Sequence, residues 1–170
     1  MQWEKINVCV QEWMKQARKM ILEGRTKELC VEEKTSRCDL VTNVDKFIEK
    51  FYVDRIREMF PNSKILGEEG DADKNLENFQ GLLWIIDPID GTMNFVKQHD
   101  HFASMIAICE NGTEKLGYIL DVTEDKLYWG GPECGVFCNE QKMAPPRNLP
   151  LEEGLFGVGG RMLLSNYRNV

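Results

Sequence analysis

Apolar residues return every three or four positions between Trp3 and Glu23, at Ile6, Val10, Trp13, Met14, Ala17 and Ile21, while Glu4, Lys5, Glu12, Lys15, Arg18 and Lys19 fill positions between them. This spacing predicts an amphipathic helix that turns one stripe to a core. Residues 25 to 39 break the pattern with Lys27, Glu28, Glu32, Glu33, Lys34 and Arg37, and read as strand edges and an exposed loop. Leu40-Val41-Thr42 is a short extended stub. Thr42 or Asn43 can cap a second helix whose apolar side carries Val44, Phe47, Ile48, Phe51, Ile56 and Phe60 and which Pro61 and Asn62 end.

Beyond Pro61 the pattern changes to short extended runs: Lys64 to Leu66, Leu82 to Ile86, Phe102 to Cys109, Leu116 to Leu120, Leu127 to Trp129, and Gly135 to Asn139. Asn111-Gly112 and Thr123-Glu124-Asp125 read as hairpin turns, Gly130-Gly131-Pro132 as the close of the meander, and Asp71 to Phe79 as a surface loop. Two helices followed by serial hairpins predict an α+β class, two amino-terminal helices packed on a largely antiparallel sheet. After Met143-Ala144-Pro145-Pro146 the chain becomes glycine-rich from Gly154 to Gly160, and a helix could start near Arg161. The expected division is therefore an amino-terminal α+β domain over residues 1–146 and the start of an α/β domain over 147–170.

Charge narrows the range of partners. A formal net charge of −7 and a pI near 5.0 argue against a nucleic-acid partner, which calls for clustered Lys and Arg. Any phosphate bound by so acidic a chain needs local neutralisation, and bound cations are one source of it. The start, Met1 to Met20, has neither the apolar core of a signal peptide nor a spanning stretch, and the first helix mixes both signs on its polar face, which gives little attraction to anionic lipid. The six cysteines form no tight framework in a chain long enough to fold without bridges, so a reducing cytoplasmic setting is expected. Cys134 and Cys138 could make half a zinc site, but no second Cys or His pair lies nearby.

The residues with chemistry to offer are acidic. Asp87-Pro88-Ile89-Asp90-Gly91-Thr92 follows the apolar run Leu82-Leu83-Trp84-Ile85-Ile86, so two carboxylates sit beyond a strand end, where Pro88 is expected to stop a central strand and Gly91 to allow a positive φ. Glu68 and Glu69, within Gly67-Glu68-Glu69-Gly70, follow the short strand Ile65-Leu66 in the same way. With Asp45 in the first turn of the second helix, these make an oxygen-rich set of the kind Mg²⁺ prefers. Each has a plainer reading: Asp45 gains from the helix dipole, Thr92 can be an N-cap, and Gly-Glu-Glu-Gly can be a solvated turn. His99 and His101 flank Asp100 at a strand start, a place that usually meets solvent or a subunit surface.

Taken together, Asp39-Leu40-Val41-Thr42-Asn43-Val44-Asp45, Gly67-Glu68-Glu69 and Asp87-Pro88-Ile89-Asp90-Gly91-Thr92, with Trp84-Ile85-Ile86 before the last and Asn94-Phe95-Val96 after it, resemble the inositol monophosphatase family of metal-dependent, lithium-sensitive phosphatases. The resemblance implies the first part of a layered α/β/α/β/α sugar-phosphatase fold. It implies two Mg²⁺ ions, with a weaker third, Mn²⁺ as a substitute and Li⁺ as an inhibitor. Glu68, Asp87 and the Ile89 carbonyl would hold the first ion, Asp87 and Asp90 the second, and Glu68 would help with the third. Thr92, oriented by Asp45, would align and deprotonate a water that attacks phosphorus. The amides of Gly91 and Thr92 would contact phosphate, Lys34 would be the basic residue of a loop over the metals, and Glu69 would be acidic company for Glu68.

The same resemblance implies a homodimer acting on a small phosphorylated metabolite, most naturally myo-inositol monophosphate. Fructose 1,6-bisphosphate, a nucleotide 3′-phosphate and NADP are the alternative substrates, and a non-catalytic metal-binding regulatory protein is the alternative class. The family draws one more metal-ligating aspartate from a second domain, and no such motif occurs up to Val170. These 170 residues alone are thus expected to be weak or inactive, either as a fragment of a longer enzyme or as a truncated product.

Overall fold

In the computed structural model, residues 2–26, 29–33, 40–70, 73 and 79–154 are described. Helix α1 spans Gln2–Gly24 and buries Ile6, Val10, Trp13, Met14, Ala17 and Ile21, the six positions expected of its stripe. A two-stranded antiparallel ribbon follows, β1 (Val31–Glu33) with β2 (Leu40–Thr42). Thr42 then caps helix α2 (Asn43–Met59) by a full capping box: its hydroxyl accepts from the amides of Val44 and Asp45, and the Asp45 carboxylate accepts from the Thr42 amide.

The buried side of α2 differs from the expected one. Val44, Ile48 and Ile56 are buried, but Phe47 is 57% exposed, and Asp45, Glu49, Tyr52 and Val53 lie inside instead. The helix is rotated so that its buried arc runs from Val44 through the two carboxylates to Val53. Phe47, one position before Ile48, falls off its edge. Tyr52 and Val53 take the places expected of Phe47 and Phe51, and hydrogen bonds receive Asp45 and Glu49 within the same arc.

Among the described residues the main sheet has seven strands in sequence order: β3 (Lys64–Gly67), β4 (Leu82–Asp90), β5 (Ala103–Glu110), β6 (Thr113–Asp121), β7 (Lys126–Gly131), β8 (Gly135–Cys138) and β9 (Gln141–Lys142). Every neighbouring pair is antiparallel except β3 with β4, which run parallel from Lys64↔Leu83 to Gly67↔Ile86. The α+β class therefore holds. A short helix, α3 (Thr92–Lys97), joins β4 to β5, and a 3₁₀ turn occupies Leu151–Glu153. Of the proposed second domain, residues 155–170 lie outside the described residues, as does the helix expected near Arg161.

Helices α1 and α2 share one hydrophobic cluster with Trp84, Ile86, Ile106, Ile108, Tyr118 and Leu120 of the sheet, with Trp13 and Phe60 tilted against Trp84 at 6.0 and 5.3 Å between ring centroids. Alternate residues on the other face, among them Ile85, Met105, Ala107, Ile119 and Val136, line an open groove of about 480 Å³ that also includes Asp87.

Strand β4 also departs from expectation. It continues through Pro88 to Asp90 and regains β5 at Asp90↔Ala103 after a register shift beyond Asp87↔Met105. Pro88 does not end the strand because the last β3 pair is Gly67↔Ile86, so no ladder remains on that side for a missing N–H to break. The irregularity buries Pro88 and Ile89 in succession and leaves Asp87 half-buried and Asp90 exposed.

Candidate functional site

Because β3 and β4 are parallel, their carboxyl ends emerge at the same edge of the sheet. Gly67 pairs with Ile86, so Glu68 and Asp87 are the next residues of adjacent strands. Asp87 feels this crowding. In the metal-free chain its carboxyl is pushed up to about 7, first by burial, then by the charge of Glu68 and a hydrogen bond to it, and further by Asp90 and Asp45. Two carboxyl groups can hydrogen-bond only by sharing a proton. Asp87 Oδ1 is buried and has no hydrogen-bond partner.

A buried acceptor left unmet among like charges suits a cation, and the available donors are hard oxygens. The residues thus fit Mg²⁺ in kind. They are not a finished cage, since among the described residues no three acidic, histidine or cysteine side chains already form a coordinating group.

The other arm of the site starts from α2. Asp45 is 1% exposed, and both its oxygens are engaged: Oδ2 accepts from the Thr42 amide at 2.9 Å and from the Thr42 hydroxyl, and Oδ1 lies 3.1 Å from the Thr92 hydroxyl. Burial raises the Asp45 carboxyl above its ordinary value, while the hydrogen bonds from Thr42 and Thr92 pull the other way. Thr92 Oγ1 is also 3.0 Å from the Ile89 carbonyl, and its one proton serves either acceptor. The helix-cap reading of Asp45 and its role beside Thr92 therefore coexist in one side chain.

Gly91 precedes α3 in the left-handed conformation, φ 83° and ψ 38°, and a Cβ there would stand 3.2 Å from the His101 carbonyl oxygen. Asn94 Nδ2 donates to that same carbonyl at 3.0 Å, which ties α3 to the turn before β5. His99 and His101 are exposed. His99 Nδ1 lies 2.9 Å from the Phe95 carbonyl at the end of α3, and His101 approaches Asp100 at 3.7 Å. Lys34 lies outside the described residues.

One residue here escaped the reading of the sequence. Glu49, a turn after Asp45 on α2 and 1% exposed, accepts from the Glu69 amide at 2.7 Å. The available signal was its spacing from Asp45, since carboxylates four apart on a helix share a face.

Carboxylates at neighbouring strand positions, with a threonine hydroxyl and a buried aspartate beside them, present the hard oxygen donors that suit a divalent cation. Residues 2–160 match the inositol monophosphatase family, and the chain belongs to that family. It is 43% identical over 166 residues to an inositol-1-monophosphatase of Bacillus subtilis, covering 98% of this chain and 62% of the relative. To a fructose-1,6-bisphosphatase/inositol-1-monophosphatase of Thermotoga maritima it is 37% identical over 129 residues, covering 76% and 48%.

Among solved structures, an IMPase/NADP phosphatase complexed with Mg²⁺ and phosphate superposes with a TM-score of 0.82 at 35% identity, over 89% of this chain and 57% of that one. A staphylococcal inositol monophosphatase-1 soaked in LiCl gives 0.81 at 36%, over 88% and 56%. The chain thus spans between about half and three-fifths of the length of these relatives.

Proposed function

We propose that the protein is a Mg²⁺-dependent phosphomonoesterase whose substrate is myo-inositol monophosphate or a similar small polyol phosphate. The observation that carries this reading is the orphaned Asp87 Oδ1 beside Glu68 and Asp90, next to the Asp45–Thr92 pair. Glu68, Asp87 and the Ile89 carbonyl would hold one ion, Asp87 and Asp90 a second, and Glu68 would assist a weaker third. Mn²⁺ would serve as a substitute and Li⁺ as an inhibitor. Once bound, the ions supply neutralisation of phosphate charge and a more acidic water.

The chain's own residues do the rest. Asp45, fixed by Thr42, is the acceptor toward which Thr92 can turn its hydroxyl proton. Engaging the Ile89 carbonyl elsewhere removes the competing acceptor and leaves that proton directed at Asp45. Thr92 Oγ1 is then free to accept from an attacking water and align it. The Gly91 and Thr92 amides and Lys34 would bind the phosphate oxygens.

Substrates with a second phosphate or a nucleotide are the second reading, favoured by the Thermotoga relative's name and by the IMPase/NADP phosphatase neighbours. A cytoplasmic homodimer is the proposed working form. Free thiols at Cys9, Cys30, Cys109, Cys134 and Cys138 support the reducing compartment, and among the described residues no helix is long and apolar enough to cross a membrane. Residues 1–146 are proposed as one domain and 147–170 as the start of another. The 170 residues by themselves are proposed to turn over weakly.

The test is phosphate release from myo-inositol 1-phosphate by the protein translated to the end of its reading frame, with and without Mg²⁺. Asp90→Asn, still folded, should abolish the Mg²⁺-dependent release. Survival of that release would overturn the mechanism, and Mg²⁺ binding with no release from any small phosphate would point to a regulatory protein. Ordinary turnover by residues 1–170 would refute the proposal that they are weak alone.

A further inference from the structure

We propose that Glu49 is a positioning residue for Glu68, so that helix α2 governs both arms of the site: Thr92 through Asp45, and Glu68 through Glu49. The proposal rests on the reading of Glu68 as a metal ligand. The position of Glu49 is explained by the loop it holds. Its Oε2 accepts from the backbone N–H of Glu69 at 2.7 Å, a charge-assisted bond. On the other side of Glu68 the contact is steric. A Cβ on Gly67 would fall 2.6 Å from Glu49 Cδ and 2.7 Å from each carboxylate oxygen, so the carboxylate lies flat against the Gly67 backbone. Glu68 is thereby bracketed, by packing at the residue before it and by a hydrogen bond at the residue after it.

The bracket is rigid because its base is rigid. Ile48, Tyr52 and Ile56 on the flanks of Glu49 are fully buried, and Gly67 is itself the last residue of β3 paired to β4. A carboxylate buried to this degree is costly unless its oxygens are met. Here the loop amide meets one of them, and the absent side chain of Gly67 makes room for the whole group. Asp45 and Glu49, one turn apart, therefore set the distance between the Thr92 hydroxyl and the Glu68 backbone through a single helix.

Isothermal calorimetry with Mg²⁺ alone, combined with hydrogen exchange at the Glu69 amide, tests this on the protein translated to the end of its reading frame and on its variants. Glu49→Ala should weaken Mg²⁺ binding about tenfold or more and speed exchange at Glu69, whereas Glu49→Gln keeps an acceptor oxygen and should stay within about threefold of the parent. Gly67→Ala leaves Glu49 in place but drives it off the loop, and should weaken Mg²⁺ binding about as much as Glu49→Ala. The double variant should bind Mg²⁺ no worse than Glu49→Ala alone, because the added methyl then meets no carboxylate.

If Glu49→Ala does not fold, Gly67→Ala and Glu49→Gln decide the matter. Unchanged Mg²⁺ affinity in Gly67→Ala overturns the proposal, as does equal weakening in Glu49→Gln. Faster exchange at Glu69 with parental Mg²⁺ affinity would mark Glu49 as merely structural and sink the proposal while the metal reading stands. A parent chain that takes up no Mg²⁺ would remove the metal reading itself.

Discussion

Asp45 and Asp87 are two aspartates of one site held in opposite ways. At the start of α2, Asp45 is almost fully buried, and Thr42 and Thr92 occupy both its oxygens. Within β4, just past its last pair with β3, Asp87 is half-buried, is crowded by the charges of Glu68 and Asp90, and leaves Oδ1 unmet. In the proposed site the difference is one between a scaffold position and a ligand position. Where the protein itself supplies the partners of a buried carboxylate, the group orients its neighbours; where it withholds them, the group is kept for something that arrives from solution.

Substitution at Asp87 should have the largest effect. Asp87→Asn is expected to lower Mg²⁺ affinity at least about a hundredfold by calorimetry, since it alters a proposed ligand shared by two ions. The same change relieves repulsion in the metal-free chain, so the melting temperature in EDTA should rise, by about 2–4 °C if the gain is near 1 kcal/mol. A fall in both quantities would show that Asp87 is structural.

The pH dependence follows from the same group. Its carboxyl is raised in the folded metal-free chain from the ordinary aspartate value to about 7, so the folded state binds more protons than the unfolded state between those values. Stability in EDTA should therefore be highest at the acid end of this window and decline as pH rises toward and through about 7. Burial of Asp45 adds a trend of the same sign. Saturating Mg²⁺ should flatten the slope by replacing the shared proton. Urea titrations at about pH 5 and about pH 8, with and without Mg²⁺, measure both terms, and a slope of opposite sign in EDTA would refute the crowding argument.

Asp45→Ala tests the satisfied side. It removes the acceptor of the Thr42 amide and the partner of Thr92, and should cost about 1–3 kcal/mol in urea unfolding. Mg²⁺ affinity should change less than in Asp87→Asn. Gly91→Ala is the smallest of the four, costing about 1–2 kcal/mol because a side chain must take a left-handed conformation, with a Cβ 3.2 Å from the His101 carbonyl.

Much of the site can be read from residue order. The stripe of α1 is legible because a helix repeats within a few residues, and all six of its expected positions are buried. The Asn111-Gly112 hairpin is legible because both residues take positive φ, 52° and 77°, which few residue types tolerate. Glu49 was barely legible: its spacing from Asp45 puts the two on one face of α2, but only the packing of that face shows that the glutamate is buried. Phe47 misled for the converse reason: its hydrophobicity is local, whereas its exposure depends on how α2 rotates to seat Asp45 and Glu49.

The α+β class, the order of helices and hairpins, and the acidic motifs that mark the family are all legible in residue order, because each rests on short-range periodicity, turn geometry or residue identity. Tertiary structure alone decided that β3 runs parallel to β4, that β4 passes through Pro88, and that α2 turns its two carboxylates inward. Those outcomes depend on pairing between segments distant in the chain, and they are what set Glu68 beside Asp87 and Asp45 beneath Thr92.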